Sequence, residues 1–299
     1  MPMLTITFRC LATGWVMFAA AAERGQDSVA VIAQLSGSAT ARTSAEGKPA
    51  AVHALDWIRS GTTVELGNGS RAVLILLNGH RWELRAGAKA TVSGDAAKVT
   101  GDARELAALP AIPRPAAVAV ESAPTAGAAA IRGGETVTGL YPAGHAFALA
   151  DNLKLQFDAV AKATSYRVTM EDDAGNRLLD VKSESNSVVV PSGTAQWGSR
   201  YRWEVRALGP SGVMARGGGS FATLPAEEAL RREEFATAVH ANGGDAEALG
   251  LLGEVDLRLG LIAEACEEFS AALAQKPGDS DLRRALESAK ASLHAPANR

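Results

Sequence analysis

Apolar residues recur every three to four positions in two stretches near the end of the chain, which is the period of helices that bury one face. The first stripe ends at Gly260, a residue that favours a break in a helix. The second ends at Pro277, which cannot continue the hydrogen-bond ladder. Residues 246–277 are therefore predicted to form a helical hairpin. The stripes consist of Leu249, Leu252, Val255 and Leu259, then Ile262, Ala265, Cys266, Phe269, Ala272 and Leu273.

The spacing of small and large residues in this hairpin resembles the tetratricopeptide (TPR) repeat. The resemblance rests on Leu252, Gly253, Gly260, Ala265, Phe269 and Pro277. It implies that Ala265 faces the first helix, that Gly253 permits close approach, and that the unit binds protein or peptide. Leu249 and Asp256 stand where the family usually has aromatic residues. An ordinary helical hairpin remains the alternative.

Helical patterns also flank the hairpin, so residues 226–294 are predicted to form one all-α, TPR-like region. An upstream helix is indicated by Leu230, Phe235, Ala238 and Val239. Downstream, Asp279 or Ser280 is expected to cap a final helix. That helix carries an apolar stripe of Leu282, Leu286, Ala289 and Leu293. A solvated last helix is what short repeat arrays need at their ends.

The front of the chain has a different pattern, with short strands separated by glycine turns. Residues 28–100 are predicted to form an all-β module. Ala72 to Leu77 is a continuous apolar run, which favours a strand buried on both faces. Asn78-Gly79 follows and predicts a tight hairpin with positive φ at both turn positions.

The front module resembles the FecR domain of bacterial periplasmic signalling proteins. The resemblance is carried by the segments from Trp57 to Val64 and from Gly69 to Gly79. They combine a glycine before a strand, a Gly-Ser turn, an apolar strand and an Asn-Gly hairpin. Thr62 departs from the family, which commonly has aspartate there. The resemblance implies a role in envelope signalling with an outer-membrane receptor.

A second all-β region is predicted at residues 139–224, where short alternating strands are evenly spaced. It resembles a fibronectin type III (immunoglobulin-like) sandwich in three segments: Phe157 to Val160, Tyr166 to Val168, and Tyr201 to Ala207. Residues 107–130 are rich in alanine and proline, which favours an extended linker. The predicted fold is therefore multidomain: a FecR-like β module, a fibronectin-like sandwich and TPR-like helices.

The first 22 residues predict a secretory signal peptide. An apolar run from Leu11 to Ala22 ends in three alanines, and it is too short to span a bilayer. Cleavage before Glu23 would leave a periplasmic protein without an integral membrane span. Because Arg9 is the only charge before the apolar run, an uncleaved anchor stays open.

The net charge and the spacing of reactive residues argue against several classes of function. The net charge is −3 over 299 residues, and no basic stripe with interleaved aromatics suggests nucleic-acid binding. The 5 histidines lack metal-ligand spacing, so neither a metal nor a cofactor is predicted. After cleavage Cys266 is the remaining cysteine, which permits no internal disulfide. No catalytic residues are predicted, and the chain is expected not to be an enzyme.

These features predict a non-enzymatic periplasmic adaptor or scaffold. Its partner is expected to be an envelope protein or peptide. The predicted partner-binding surface lies on the first helix of the hairpin, at positions that do not pack inward. They are Glu247, Gly250, Glu254, Leu257 and Arg258.

Two alternatives stay open. One is a peptidoglycan- or glycan-binding module, and the other is a FecR-like signalling component. Trp57, Trp82 and Trp197 exposed on one face would favour glycan stacking, whereas their burial would favour the adaptor.

Overall fold

The computed structural model describes residues 28–43, 47–113, 135–144, 146–241 and 244–293. The predicted signal peptide, residues 1–22, lies outside them, as does most of the predicted linker. Within the described ranges, no helix is long and apolar enough to cross a membrane.

The front module consists of two antiparallel sheets that share one core. The strands are β1 (Ser28–Ser36), β2 (Ala39–Arg42), β3 (Ala50–Val52), β4 (Trp57–Arg59), β5 (Thr63–Leu66), β6 (Arg71–Leu76), β7 (Arg81–Arg85), β8 (Lys89–Ser93), β9 (Ala96–Thr100) and β10 (Ala103–Leu106). One sheet has the order β10-β7-β6-β1-β4, and the other β3-β2-β5-β8-β9.

Strand β6 is buried on both faces, which confirms the prediction from its apolar run. Ala72, Leu74 and Leu76 enter the core between the two sheets. Val73 and Ile75 point the other way, into a second core covered by helices. The following hairpin is also confirmed, but of its two turn residues only Gly79 has a positive φ, at 87°.

The first residues of the predicted linker pack on the front module beside Gly79. A Cβ on Gly79 would lie 1.9 Å from the Leu109 carbonyl oxygen, so the chain after β10 passes directly over the hairpin. Leu109 N donates to Gly79 O at 3.0 Å and Ile112 N donates to Leu77 O at 2.8 Å. Residues 107–113 are thus packed on the front module, where the sequence predicted an extended linker.

The second region is an all-β sandwich, as predicted. Its strands are β11 (Glu135–Thr136), β12 (Phe147–Ala148), β13 (Lys154–Gln156), β14 (Ser165–Asp172), β15 (Arg177–Ser183), β16 (Ser187–Val189), β17 (Arg200–Gly209) and β18 (Gly212–Thr223). The larger sheet has the order β11-β18-β17-β14-β15, and β12 also pairs with β18. Strands β13 and β16 form the smaller sheet. Between them, Phe157 packs edge-to-face on Tyr166 with ring centroids 4.8 Å apart.

The chain ends in helices α1 (Ala226–Ala241), α2 (Ala246–Leu259), α3 (Ile262–Gln275) and α4 (Ser280–Leu293). Asp245 caps α2 through Ala248 N, and Gly260 ends it with φ at 79°. Asp279 caps α4 by accepting from Leu282 N at 3.0 Å.

The predicted register of the hairpin is confirmed. Ala265 and Phe269 are fully buried between the helices. A Cβ on Gly253 would lie 2.8 Å from the Phe269 ring, so only glycine permits this helix spacing.

One hydrophobic cluster joins all three regions, and we call it the shared core. It takes residues from the front module, the segment after β10, the end of the sandwich and helices α1 and α2. Its members are Val31, Ala33, Val73, Ile75, Leu77, Leu109, Ile112, Leu224, Ala229, Phe235, Ala236, Val239, Leu251, Leu252, Val255, Leu259 and Leu261. Because these side chains lose their cover if any region departs, the regions stabilise one another.

Candidate interaction site on helix α2

The predicted partner-binding residues lie on α2, but that face is covered by the chain itself. Ala54 and Leu55, before β4, and Trp57 at its start lie against the helical region. The face is therefore not open in this structure. Its proposed use by a partner stays a prediction.

Glu254 is the centre of this contact. Its Oε2 accepts a hydrogen bond from Trp57 Nε1 at 3.3 Å, across 197 residues of sequence. Burial raises the pKa of the Glu254 carboxyl to about 7, although the Trp57 hydrogen bond opposes the shift. Nearby Asp56 raises the pKa further, while Arg284 and Arg258 lower it. The carboxyl therefore titrates close to neutral pH.

Arg258 lies one turn further along α2 and contacts the same indole. Its guanidinium carbon is 4.1 Å from the Trp57 ring centroid, which is cation–π geometry. Because residues 254 and 258 are four apart, both side chains project from one face of the helix. Trp57 is thus contacted at its edge by a carboxyl and on its face by a guanidinium.

Leu55 inserts beside Trp57 into the groove between α2 and α4. Its φ is 69°, a left-handed conformation that is unfavourable for a bulky side chain. A hydrogen bond from Leu55 N to Ile32 O at 2.6 Å holds it there. Leu55 is only 7% exposed and packs with Leu249 and Leu282. Burial of the side chain offsets the backbone strain.

The other predicted positions are also occupied within the chain. A Cβ on Gly250 would lie 2.6 Å from Leu282 Cδ2, so α4 passes directly over this glycine. Leu257 is partly buried against the apolar cluster that contains Leu55 and Leu282. Glu247 forms an ion pair with Lys276, at the end of α3.

Arg232 is the residue that the sequence analysis missed. Asp256 is fully buried in α2, and Arg232 of α1 donates to both its carboxylate oxygens, at 2.9 and 2.7 Å. Burial alone would lower the pKa of Arg232, but the Asp256 carboxylate raises it overall. A buried acid at an apolar helix position requires a cationic partner. Asp256 was therefore the signal in the sequence that pointed to a nearby cation such as Arg232.

The sandwich contacts the helices at the turn between α2 and α3. Phe147 N donates to Gly260 O at 3.0 Å, and Ala263 N donates to Tyr141 Oη at 3.1 Å. Beside them, Oε2 of Glu264 is buried without a hydrogen-bond partner among the described residues. Burial raises the pKa of Glu264 to about 7, and the charge of Asp256 raises it further.

The tryptophans do not form one exposed cluster. Trp82 is partly buried against the front-module core, and Trp197 against the sandwich core and the shared core. In the part of the chain that the structure describes, no group of three or more His, Cys, Asp or Glu side chains is placed to hold a metal ion.

Comparisons with known proteins do not assign this chain to a family. No protein-family model matches it, and no curated protein matches it. The resemblances to FecR and TPR proteins therefore stay predictions.

Some solved structures resemble the sandwich in part. FN3tt, known from a crystal structure, is 12% identical to this chain. The match covers 29% of this chain and 94% of FN3tt, with a TM-score of 0.23. CopC from Methylosinus trichosporium OB3b is 20% identical, with coverages of 30% and 94% and a TM-score of 0.23. An Fn3-like protein from Clostridium thermocellum is 17% identical, with coverages of 29% and 90% and a TM-score of 0.22. At these TM-scores the similarities support no conclusion about function.

Proposed function

We propose that this protein is a non-enzymatic scaffold of the bacterial periplasm. In this proposal the front module is a FecR-like domain, the sandwich is fibronectin III-like and the helices are TPR-like. The chain is exported through its N-terminal segment and binds an envelope protein or peptide. The helices hold two β modules in a fixed orientation, so that a partner meets both at once.

The shared core is the observation that carries this proposal. Val73 of β6, Leu224 after β18 and Leu252 of α2 belong to one buried cluster. Domains that only tether partners need no such cluster, because interfaces between mobile domains are smaller and more polar. Continuous apolar burial instead supports a rigid arrangement.

The contact of Trp57 with α2 changes the expected way of binding. A TPR-like helix face would ordinarily receive a peptide, but Trp57 and Leu55 occupy it here. We assign this face to holding the front module. Partial burial of the three tryptophans supports a scaffold over a glycan-binding module, which would present its aromatic side chains for stacking.

Crosslinking in intact envelopes tests the proposal. Tagged wild-type protein is purified after crosslinking, and the partner identified by mass spectrometry is then tagged and used for reciprocal purification. The variant Glu254→Lys with Arg258→Glu reverses both charges that contact Trp57. It should recover less of the partner, because the front module is then held less firmly against α2.

A matched control reverses an exposed ion pair of the front module, Glu65→Lys with Lys89→Glu. This control should keep the partner, and far-UV circular dichroism should show both variants folded. Equal recovery of the partner by the Glu254/Arg258 variant, or no reciprocal partner for wild type, would contradict the proposed function.

A further inference from the structure

The outer face of the sandwich carries a row of basic side chains in direct register. Arg206 of β17 is paired with Arg216 of β18 on one side and with Arg167 of β14 on the other. Arg167 is paired in turn with Lys182 of β15. Like charges directly opposite one another destabilise a sheet. Such a row therefore calls for a functional explanation.

Neighbouring carboxylates neutralise the middle of this row and leave its ends charged. Arg167 donates to both oxygens of Asp180, at 2.7 and 2.8 Å. Arg206 donates to both oxygens of Glu204, at 2.7 and 3.2 Å. Among the described residues, no ion pair joins Arg216 or Lys182 to a carboxylate.

The face as a whole is basic although the chain is acidic. Alternate residues of β14 and β17 enter the sandwich core, so the intervening positions face outward. Seven cations outnumber three carboxylates there, a net charge of +4, whereas the whole chain has −3. We call this surface the basic face. Its charged residues are Arg167, Arg177, Lys182, Arg200, Arg202, Arg206, Arg216, Glu171, Asp180 and Glu204.

Helix α1 carries the opposite charge. Glu227, Glu233 and Glu234 are exposed there, and the exposed Arg231 forms an ion pair with Glu227. The net charge of this surface is −2, opposite in sign to that of the basic face. Leu230 projects from the middle of it with 61% exposure, a large value for an apolar side chain. We call this surface the acidic helix face.

We propose that the basic face docks the acidic helix face of a second copy of this chain. Glu227 and Glu234 are seven residues apart, which is about 10 Å along the helix axis. Neighbouring strands are about 5 Å apart. A helix lying across the strands therefore places these two carboxylates over alternate strands of the cationic row.

Exposed apolar residues and the chemistry of the surface support a second copy of this chain as the docking partner. Val213 is 47% exposed on β18, close in sequence to Arg216, and provides an apolar counterpart for Leu230. The basic face has no outward-facing aromatic residue on its described strands β14, β15, β17 and β18. It therefore lacks the stacking surface that a glycan would use. Because the two surfaces differ, the contact is head-to-tail and extends into chains of molecules unless it closes into a ring.

Sedimentation velocity of the full mature chain tests the proposal. At low ionic strength the weight-average sedimentation coefficient should rise with protein concentration, and added salt should reverse the rise by screening charges. Arg202→Glu with Arg216→Glu should stay monomeric. Arg42→Glu with Lys98→Glu makes the same charge change at exposed positions of the front module, and should associate like wild type.

A charge exchange separates docking from a general effect of net charge. Glu233→Arg with Glu234→Arg should also be monomeric alone, because its helix repels the basic face. Mixed with the Arg202/Arg216 variant, it should restore association, since each variant supplies the surface that the other has lost. Wild type that is monomeric at every concentration and ionic strength, or a mixture that fails to associate, would overturn the proposal.

Discussion

Trp57 of the front module donates its indole hydrogen bond to Glu254 of helix α2, 3.3 Å away and 197 residues later in the chain. Arg258 covers the same indole at 4.1 Å. Leu55 enters the groove beside it. The front module and the helices are therefore joined by one aromatic anchor and one apolar anchor. Both anchors are accessible to mutation.

Replacement of the aromatic anchor should loosen this contact. Trp57→Ala removes the hydrogen bond, the cation–π contact and half-buried apolar surface, and should lower the free energy of unfolding by about 2–3 kcal/mol. Trp57→Phe keeps an aromatic face for Arg258 and should cost less. Urea unfolding followed by circular dichroism measures both. Equal losses for the two variants would show that the ring itself contributes nothing.

Breaking the buried ion pair between Arg232 and Asp256 should lower the free energy of unfolding more than replacing both residues with apolar ones. Arg232→Met leaves the Asp256 carboxylate buried without a partner, which typically costs about 3–5 kcal/mol. Arg232→Met with Asp256→Leu removes both charges and should recover most of that loss. Urea unfolding of the single and double variants checks this. A double variant as unstable as Arg232→Met would mean that packing, rather than charge, dominates here.

Close packing of α2 on α3 gives a third prediction. In Gly253→Ala the new Cβ would meet the Phe269 ring at 2.8 Å. The variant should therefore lose about 1–3 kcal/mol through overpacking. Adding Phe269→Leu makes room for the methyl group and should remove the clash. If Phe269→Leu lowers the free energy of unfolding as much in the Gly253→Ala background as in wild type, the two residues are not coupled.

The two buried carboxyls predict how stability depends on pH. The pKa values of Glu254 and Glu264 are raised from an ordinary 4.5 to about 7. The folded state thus holds protons that the unfolded state releases. The resulting stabilisation is complete below about pH 4.5 and is lost as pH rises through about 7.

Glu254→Gln and Glu264→Gln should each flatten this dependence. Thermal unfolding between pH 5 and pH 8 measures it, with about 1.4 kcal/mol expected for each unit of pKa shift. Glu184→Gln, at an exposed position after β15, is the control and should leave the curve unchanged. Wild-type stability that rises over this pH range, or glutamine variants that match wild type, would contradict the assigned burial.

Local sequence patterns predicted the secondary structure well. The stripe ending at Gly260 and the apolar run of β6 each reflect burial periodicity, which is a property of the segment itself. The contact between Trp57 and Glu254 could not be predicted in this way, because it joins segments far apart in sequence. The solvent-facing interpretation of Glu254 treated α2 as isolated. The buried position of Asp256 did carry a signal, since it implied a cation such as Arg232 nearby.

Hydrogen–deuterium exchange of wild type and Trp57→Ala tests the central claim, that the front module and α2 hold each other in place. In wild type, amides of α2 and of residues 53–59 should be protected and exchange together. In Trp57→Ala both segments should exchange faster, while the sandwich strands β14 and β17 keep their protection. Unchanged protection of α2 in Trp57→Ala would contradict the account, because the helix would then be stable without its contact to the front module.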